Sequence, residues 1–255
     1  MSVVALASAH GAPGVTTSAL AMAWAWPLAR PGRRVLLVDA DPAGSGLLTG
    51  PLRAGVPDST GVSVLAAVHP PLTGEQVIGC AVALDEASTR MVLPGVVDPV
   101  QARPLGATWT ALVDVARDLS TQGVDVLVDV GRVGHRYEPT PWFAEADLLL
   151  LVARGDVASV LPATAAVRTL ASTRAGRSAP VGLVVDPGPY STGEIAGALG
   201  VRDVLTLPRD EWAARALLDG SGRGARLERS SLMRAARAIV DRLTELVPEP
   251  QPVTS

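Results

Sequence analysis

Residues 9–17 of the chain read Ala-His-Gly-Ala-Pro-Gly-Val-Thr-Thr. An apolar run at residues 3–7 precedes them, and a helical pattern begins at Thr16. The order strand, glycine-rich loop, helix is the context of a phosphate-binding loop, in which backbone N–H groups at the start of the helix hold the phosphates. We therefore predict a P-loop at residues 9–17 that leads into the first helix.

The predicted loop lacks the basic residue that phosphate-binding loops carry. Val15 stands directly before the hydroxyl residue Thr16, where such a loop has a lysine, and all 22 basic residues of the chain are arginine. Phosphoryl transfer depends on positioning and electrostatics, so we expect the loss to cost several kcal/mol at the transition state. Pro13 also removes one backbone donor, while Gly11 and Gly14 still allow a close backbone approach.

Composition limits the classes of protein that the chain can belong to. It has 255 residues, 48% of them hydrophobic, and a net charge of −3, which gives no global case for binding nucleic acid. A single cysteine, Cys80, excludes an internal disulfide and fits a reducing compartment. No basic region precedes the apolar N-terminal stretch, and the glycine loop divides it. We predict a cytoplasmic protein without a membrane span, with a secreted or anchored form as the alternative.

The fold class follows from continuous apolar runs that alternate with helical patterns. The runs lie at residues 35–38, 90–93, 124–130, 148–152, 181–185 and 204–207, and the helical patterns lie at residues 16–29, 106–121, 157–172, 191–199 and 209–219. Strands without polar alternation are covered on both faces. We predict an α/β fold, a doubly wound, mostly parallel sheet with helices on both faces.

The predicted sheet belongs to one domain. We expect this domain to span residues 1–247, with an irregular insert at residues 42–89 and a disordered tail at residues 248–255, which holds three prolines. The last helical segment, residues 230–247, has one apolar and one mixed polar face. Packing against the sheet is the favoured interpretation, and a helix on a membrane surface is the alternative.

Polar residues follow these strands at their carboxyl ends, where open α/β sheets bind ligands. They are Asp39 and Asp41, Asp129 and Arg132, Arg154, Asp186, and Arg209. Together with the glycine loop, they predict a nucleotide site at this edge. Arg132 and Arg154 are candidates to replace the missing positive charge. Neither His69 nor His135 has a cysteine or histidine neighbour at the spacing of metal ligands, so the sequence does not predict a metal site at either residue.

At these motifs the chain resembles the ParA/MinD family of P-loop ATPases, over residues 1–247. The family loop Lys-Gly-Gly-x-Gly-Lys-Thr-Thr/Ser matches residues 10–17. Residues 35–42, Val-Leu-Leu-Val-Asp-Ala-Asp-Pro, are similar to its second-strand motif, and residues 124–129, Val-Asp-Val-Leu-Val-Asp, to its Walker B strand. The loop sequence resembles that of divergent actinobacterial members of the family, and some relatives of that kind are CpaE/TadZ-like.

The resemblance implies ATP and Mg as cofactors and assigns roles to individual residues. Asp41 would orient the attacking water, and Thr16 and Asp129 would act on magnesium. His10 stands where the family has a lysine that crosses a dimer interface, and Asp186 stands where it has an adenine-reading asparagine. The predicted cofactor-binding residues are His10, Gly11, Ala12, Gly14, Val15, Thr16, Thr17, Asp39, Asp129, Arg132 and Arg154.

The leading functional hypothesis is a ParA/MinD-like protein with a degenerate nucleotide site, at most a weak ATPase. It would be a regulatory or localising factor that binds a protein partner of a partitioning, pilus or secretion system, and the resemblance allows a homodimer. A second hypothesis is a working ATPase switch that uses an arginine, and a third is a partition protein that binds DNA non-specifically through the arginines of residues 209–242. The plainest alternative is a loop that only shapes the fold and binds no nucleotide.

Overall fold

The computed structural model describes residues 3–11, 14–48, 50–52, 55–68, 71–221 and 224–247. Ala12 and Pro13 of the predicted loop lie outside these residues, as do His69 and the predicted tail at residues 248–255. The division into one domain and a disordered tail therefore stays a prediction.

Within the described residues, eight strands form one sheet that confirms the predicted fold class. Its order is β3-β4-β2-β5-β1-β6-β7-β8, and every neighbouring pair is parallel except β3 with β4. The bounds are β1 Val3–Ser8, β2 Arg34–Asp39, β3 Val82–Ala83, β4 Arg90–Leu93, β5 Val124–Arg132, β6 Leu148–Arg154, β7 Val181–Val185 and β8 Val204–Leu207.

Helices cover both faces of this sheet. The described residues form α1 Val15–Ala29, α2 Val62–Ala66, α3 Gly74–Gly79, α4 Gly106–Thr121, α5 Thr140–Glu145, α6 Val157–Thr173, α7 Thr192–Leu199, α8 Glu211–Leu218, α9 Ala225–Glu228 and α10 Ser231–Leu246. One core packs α1, α8 and α10 against the sheet, and the other packs α2 to α7. The predicted irregular insert, residues 42–89, contains α2, α3 and β3 between its loops.

The terminal helix α10 packs on the sheet, as the favoured interpretation of its amphipathic pattern required. Its apolar stripe is buried in the core that also holds α1, with Met233, Val240 and Leu243 fully shielded from solvent. In the part of the chain that the structure describes, no helix combines the length and apolar character that crossing a membrane demands.

Strand β5 is two residues longer than its apolar run at residues 124–130 predicted. Leu6 of β1 pairs with Asp129, but Ser8 pairs with Arg132, so β5 carries one extra residue between these pairs. Gly131 has a φ of 72° there, a conformation that favours glycine. The extra residue is a β-bulge, and bulges re-aim the side chains beside them. It sets Arg132 next to the end of β1, where the glycine loop begins.

A buried ion pair fixes the start of β5. The Asp125 carboxylate is fully buried and accepts hydrogen bonds from Arg33 Nε at 2.6 Å, Arg33 Nη2 at 2.7 Å and Trp26 Nε1 at 2.8 Å. Arg33 thereby ties β5 to the segment after α1. This contact helps to hold α1 and β5, which carry Thr16 and Asp129, in one register.

We expect Asp125→Ala to lower the free energy of unfolding by about 3 kcal/mol, because it leaves Arg33 and the Trp26 N–H without their acceptor. Urea denaturation measures the change. Asp114→Ala is the matched control, since Asp114 is 75% exposed and pairs with Arg117 at 3.7 Å; it should cost less than about 1 kcal/mol. Equal losses in the two variants would contradict the role of the buried pair.

Candidate nucleotide site

The first helix begins without a side-chain cap. Gly14 precedes it with a φ of 102°, and no side chain accepts a hydrogen bond from its first turn. Side chains cap α6, α7, α8 and α10, through Asp156, Ser191, Asp210 and Ser230. The N–H groups at the start of α1 are therefore left for another acceptor, and the positive end of the helix dipole favours an anion.

A cleft of about 600 Å³ lies over the start of α1, and we call it the loop cleft. Its lining includes the predicted residues Gly11, Gly14, Val15, Thr16, Thr17, Asp41 and Arg132, and it is completed by Ser8, Ala43, Ser45, Gly131, His135 and Leu218. The fold thus brings together residues from β1, α1, β5 and the loop after β2. Asp39 and Asp129 lie beneath the cleft and are buried, while Arg154 lines a different cleft.

Thr16 and Asp129 are in direct contact below the loop cleft. The Thr16 hydroxyl donates to Asp129 Oδ2 at 2.6 Å, and the Gly131 N–H donates to Oδ1 at 3.1 Å. Hydroxyl and carboxylate oxygens suit Mg²⁺, so these two residues fit the predicted metal. No group of three His, Cys, Asp or Glu residues in the described chain could hold a metal ion alone. Mg²⁺ would therefore need oxygens from phosphates and water as well.

Asp39 is the second buried carboxylate of the site. It is the register partner of Asp129 on the neighbouring strand. Ser45 Oγ donates to Asp39 Oδ2 at 2.6 Å, and the Asp41 N–H donates to Oδ1 at 3.3 Å. A Cβ on Gly95 would lie 2.6 Å from Asp39 Cγ, so glycine is required at residue 95 for this packing. The carboxylate is thus locked in place on the strand end.

Asp41, the predicted water-orienting residue, reaches the loop cleft and is only half-buried. Its Oδ1 accepts from the Ala43 N–H at 2.8 Å. A Cβ on Gly131 would lie 2.4 Å from Asp41 Cγ. The bulge in β5 and the side chain of Asp41 are therefore packed against each other, which fixes where this carboxylate stands.

Burial without a nearby cation shifts the pKa values of both deep carboxylates. Desolvation, followed by the negative charge of Asp129, raises the pKa of Asp39 to about 8. Desolvation is also the main reason that the pKa of Asp129 is raised to about 7; the hydrogen bond from Thr16 opposes this rise, and the charge of Asp41 adds to it. Among the described residues, no positive group contributes to either shift. Burial is the largest cause of both shifts.

Val15 stands where the resemblance implies a lysine, and its side chain carries no charge. Val15 is 8% exposed and belongs to the core around α1, although it also lines the loop cleft. His10 is half-buried, and its Nδ1 is shielded and has no hydrogen-bond partner among the described residues. Arg132, in contrast, is exposed and lines the loop cleft.

A second cleft, of about 200 Å³, adjoins the loop cleft, and we call it the side cleft. Both clefts share Gly14 and Thr17. The rest of its lining comprises Ser18, Arg154, Val185, Asp186, Leu207, Pro208, Arg209, Asp210, Glu211, Ala214 and Leu232. Two of the predicted basic residues are thus divided between the two clefts: Arg154 lies in the side cleft, and Arg132 lies in the loop cleft.

Sequence reasoning missed the residues that position the carboxylates. Ser45, Gly95 and Gly131 hold Asp39, Asp41 and Asp129, yet none has a role in the predicted site. Gly95 and Gly131 each come after an apolar run that predicts a strand. A glycine at such a position often marks a close approach of another part of the chain, so this signal could have identified both. Nothing in the sequence distinguishes Ser45 from the other small residues of its loop.

We expect the unliganded protein to lose thermal stability as the pH rises from about 4 to about 8. Folding raises the pKa of the Asp39 carboxyl from its ordinary value of 3.8 to about 8, so the folded chain holds a proton in this interval that the unfolded chain releases. Asp39→Asn should flatten the dependence, measured as melting temperature in a chelating buffer. Asp118→Asn, an exposed carboxylate on α4, should retain it. Parallel pH profiles for the wild type and Asp39→Asn would contradict the prediction.

Comparison with known proteins identifies the fold. No family model matches the chain, and no curated protein matches it in sequence. Among solved structures, the ParA family ATPase of Chlorobium tepidum TLS is 15% identical, with 94% of this chain and 98% of that chain covered and a TM-score of 0.72. MinD of Pyrococcus horikoshii OT3, complexed with Mg-ADP, is 18% identical, with 97% and 99% covered and a TM-score of 0.71.

A chain of the MinC:MinD cell division complex of Aquifex aeolicus is 19% identical, with 100% of this chain and 99% of that chain covered and a TM-score of 0.67. The similarity to these structures runs through almost the whole length of both chains in each case. The chain has the fold of the ParA and MinD P-loop ATPases.

Proposed function

We propose that this protein binds a nucleoside triphosphate with Mg²⁺ in the loop cleft and hydrolyses it slowly or not at all. It would be a degenerate member of the ParA/MinD family. The observation that carries the proposal is the loop cleft itself, which combines an uncapped helix start with the Thr16 and Asp129 pair. MinD, which shares the fold, was solved with Mg-ADP.

Each part of the cleft suits one part of the ligand. The N–H groups at the start of α1 would bind phosphate oxygens. Thr16 and Asp129 would hold Mg²⁺, which neutralises phosphate charge when bound. Asp41, held by the Ala43 N–H, would orient a water molecule at the open side. The proposed cofactor contacts are the sequence-predicted residues that line the loop cleft, together with Asp129, and Asp39 is a positioning residue beneath them.

The missing lysine argues for slow turnover. Preorganised charge at the transferring group is the main source of catalysis in such sites, and this loop has an apolar side chain in its place. Among the described residues, Arg132 is the arginine that lines the loop cleft. A working ATPase that relies on Arg132 is therefore the specific alternative, and Arg154 is less suited because it lies in the side cleft beside Asp156 and Asp186.

A slow nucleotide site favours a regulatory or localising role, in which the bound state matters more than turnover. The MinC:MinD complex is a precedent for a protein of this fold acting through a protein partner. We propose a protein partner, in a partitioning, pilus or secretion system, and a homodimer as the form that binds it. The arginines of residues 209–242 give less support to DNA binding, because some of their charge is already neutralised. Arg209 pairs with Glu211, and Arg242 pairs with Glu245.

Titration calorimetry with Mg²⁺ and either ATP or GTP tests the proposed binding. We expect saturable binding of at least one of them, with a Kd between about 1 µM and about 1 mM. Thr16→Val should weaken it at least about tenfold, because the hydroxyl ligand is lost. Thr110→Val, on the exposed side of α4, is the control and should not change it. The absence of heat with both nucleotides would overturn the proposal.

Restoring the lysine tests the account of the degenerate loop. We expect Val15→Lys to raise the rate of phosphate release by about 100-fold or more, because it returns the missing charge to the phosphates. Val15→Met is the matched control, since it lengthens the side chain without charge and should leave the rate unchanged. The arginine-dependent ATPase would be favoured instead by two results together. The wild type would already turn over nucleotide rapidly, and Arg132→Ala would abolish that turnover.

A further inference from the structure

The side cleft has the form of a site for a flat ring attached to the phosphates. It shares Gly14 and Thr17 with the loop cleft, so one ligand can extend from one cleft into the other. Its volume of about 200 Å³ equals about seven water molecules in the liquid. Val185, Leu207 and Leu232 are among its apolar lining residues. Apolar walls with a few polar groups at one end are usual for ligand pockets.

One carboxylate in the side cleft, that of Asp186, accepts no hydrogen bond from any described residue, although its backbone is held in place. Within the described part of the chain, no hydrogen bond reaches the Asp186 carboxylate, and its Oδ2 lies 4.0 Å from both Arg154 Nη2 and Arg209 Nη1. The other acidic side chains of the cleft are engaged. Asp210 accepts from the Ala213 N–H and the Ser231 hydroxyl, and Glu211 accepts from Arg209.

The backbone around Asp186 is fixed in an unusual conformation. Its φ is 56°, in the left-handed region that non-glycine residues rarely adopt. The Asp186 N–H donates to the Leu207 carbonyl at 2.9 Å, and the Asp186 carbonyl accepts from the Gly155 N–H at 3.1 Å. A Cβ on Gly155 would lie 2.1 Å from the Pro187 carbonyl oxygen. Contacts on both sides therefore hold this strained residue at the mouth of the cleft.

The Asp186 carboxylate accepts no hydrogen bond from the described residues and lies between two guanidinium groups, an arrangement that discriminates between purines. A carboxylate only accepts hydrogen bonds, and guanine offers it two adjacent donors, N1–H and the N2 amino group. Adenine offers one amino group beside N1, which is itself an acceptor and repels the second carboxylate oxygen. Arginine, in turn, is the usual partner of guanine O6 and N7. The charges of the side cleft thus complement guanine better than adenine.

We propose that the side cleft binds a guanine base, and that Asp186 makes this protein prefer guanine nucleotides to adenine nucleotides. The inference rests on the proposed binding of a nucleoside triphosphate in the loop cleft. It goes beyond that proposal because it assigns the base and the residue that selects it. Arg154 and Arg209, each with an Nη atom 4.0 Å from Asp186 Oδ2, would act beside Asp186 as donors to guanine O6.

Calorimetric titration of the full chain with Mg²⁺ and four nucleotides tests the assignment. We expect GTP to bind at least about tenfold more tightly than ATP. ITP, which lacks the N2 amino group, should bind more weakly than GTP. Asp186→Asn should lose affinity for GTP and gain affinity for XTP, because the amide donates to the C2 carbonyl of xanthine. A residue with a structural role alone would not exchange one base for another.

Asp203→Asn is the matched control, because Asp203 lies outside the side cleft and pairs with Arg242 at 3.7 Å. It should leave the order of the four nucleotides unchanged. ATP binding as tightly as GTP, or more tightly, would overturn the guanine assignment and leave the proposed nucleotide binding intact. Binding of none of the four nucleotides to the wild type would overturn both proposals.

Discussion

Two adjacent buried carboxylates without a cation are the constraint on which this site depends. Asp39 and Asp129 pair in register on β2 and β5 and are almost completely buried, and no positive side chain of the described residues offsets them. Desolvation therefore favours their protonated forms. Hydrogen bonds from Ser45 and Thr16 hold the two groups in place. A cation beside these carboxylates would offset the cost of burying their charge, and Mg²⁺ with a nucleotide would supply one.

This electrostatic state connects the fold with the proposed function, a nucleotide site with slow turnover and a regulatory role. A P-loop lysine would place a fixed charge at the phosphates in every state of the protein. Here the positive charge that the described residues place at the loop cleft comes from the N-terminal end of the α1 dipole and from the exposed Arg132 side chain. Binding can persist on these contacts, whereas rate acceleration requires charge placed for the transition state. A protein that holds its nucleotide without turning it over would act through its bound state, which suits a partner-binding role.

Much of the fold could be predicted from the sequence, because the strands are continuous apolar runs and the helices keep their periodicity. Residues 35–38, 90–93 and 181–185 lie in strands as expected. The bulge in β5 was not predictable, since it depends on the pairing of β1 with β5 rather than on a local pattern. The sequence also placed Arg154 and Arg132 at one edge, but only the fold divides them between two clefts. The contacts from Ser45 and Gly95 to Asp39 depend on tertiary packing in the same way.

Hydrogen exchange followed by mass spectrometry, with and without a Mg-bound purine nucleoside triphosphate, tests the central claim most directly. Phosphates on the N–H groups at the start of α1 would slow exchange there, because those groups have no side-chain acceptor in the free protein. We predict added protection in peptides from the first turns of α1 and from the end of β5, with α4 unchanged. Equal exchange in α1 at saturating nucleotide would contradict the account.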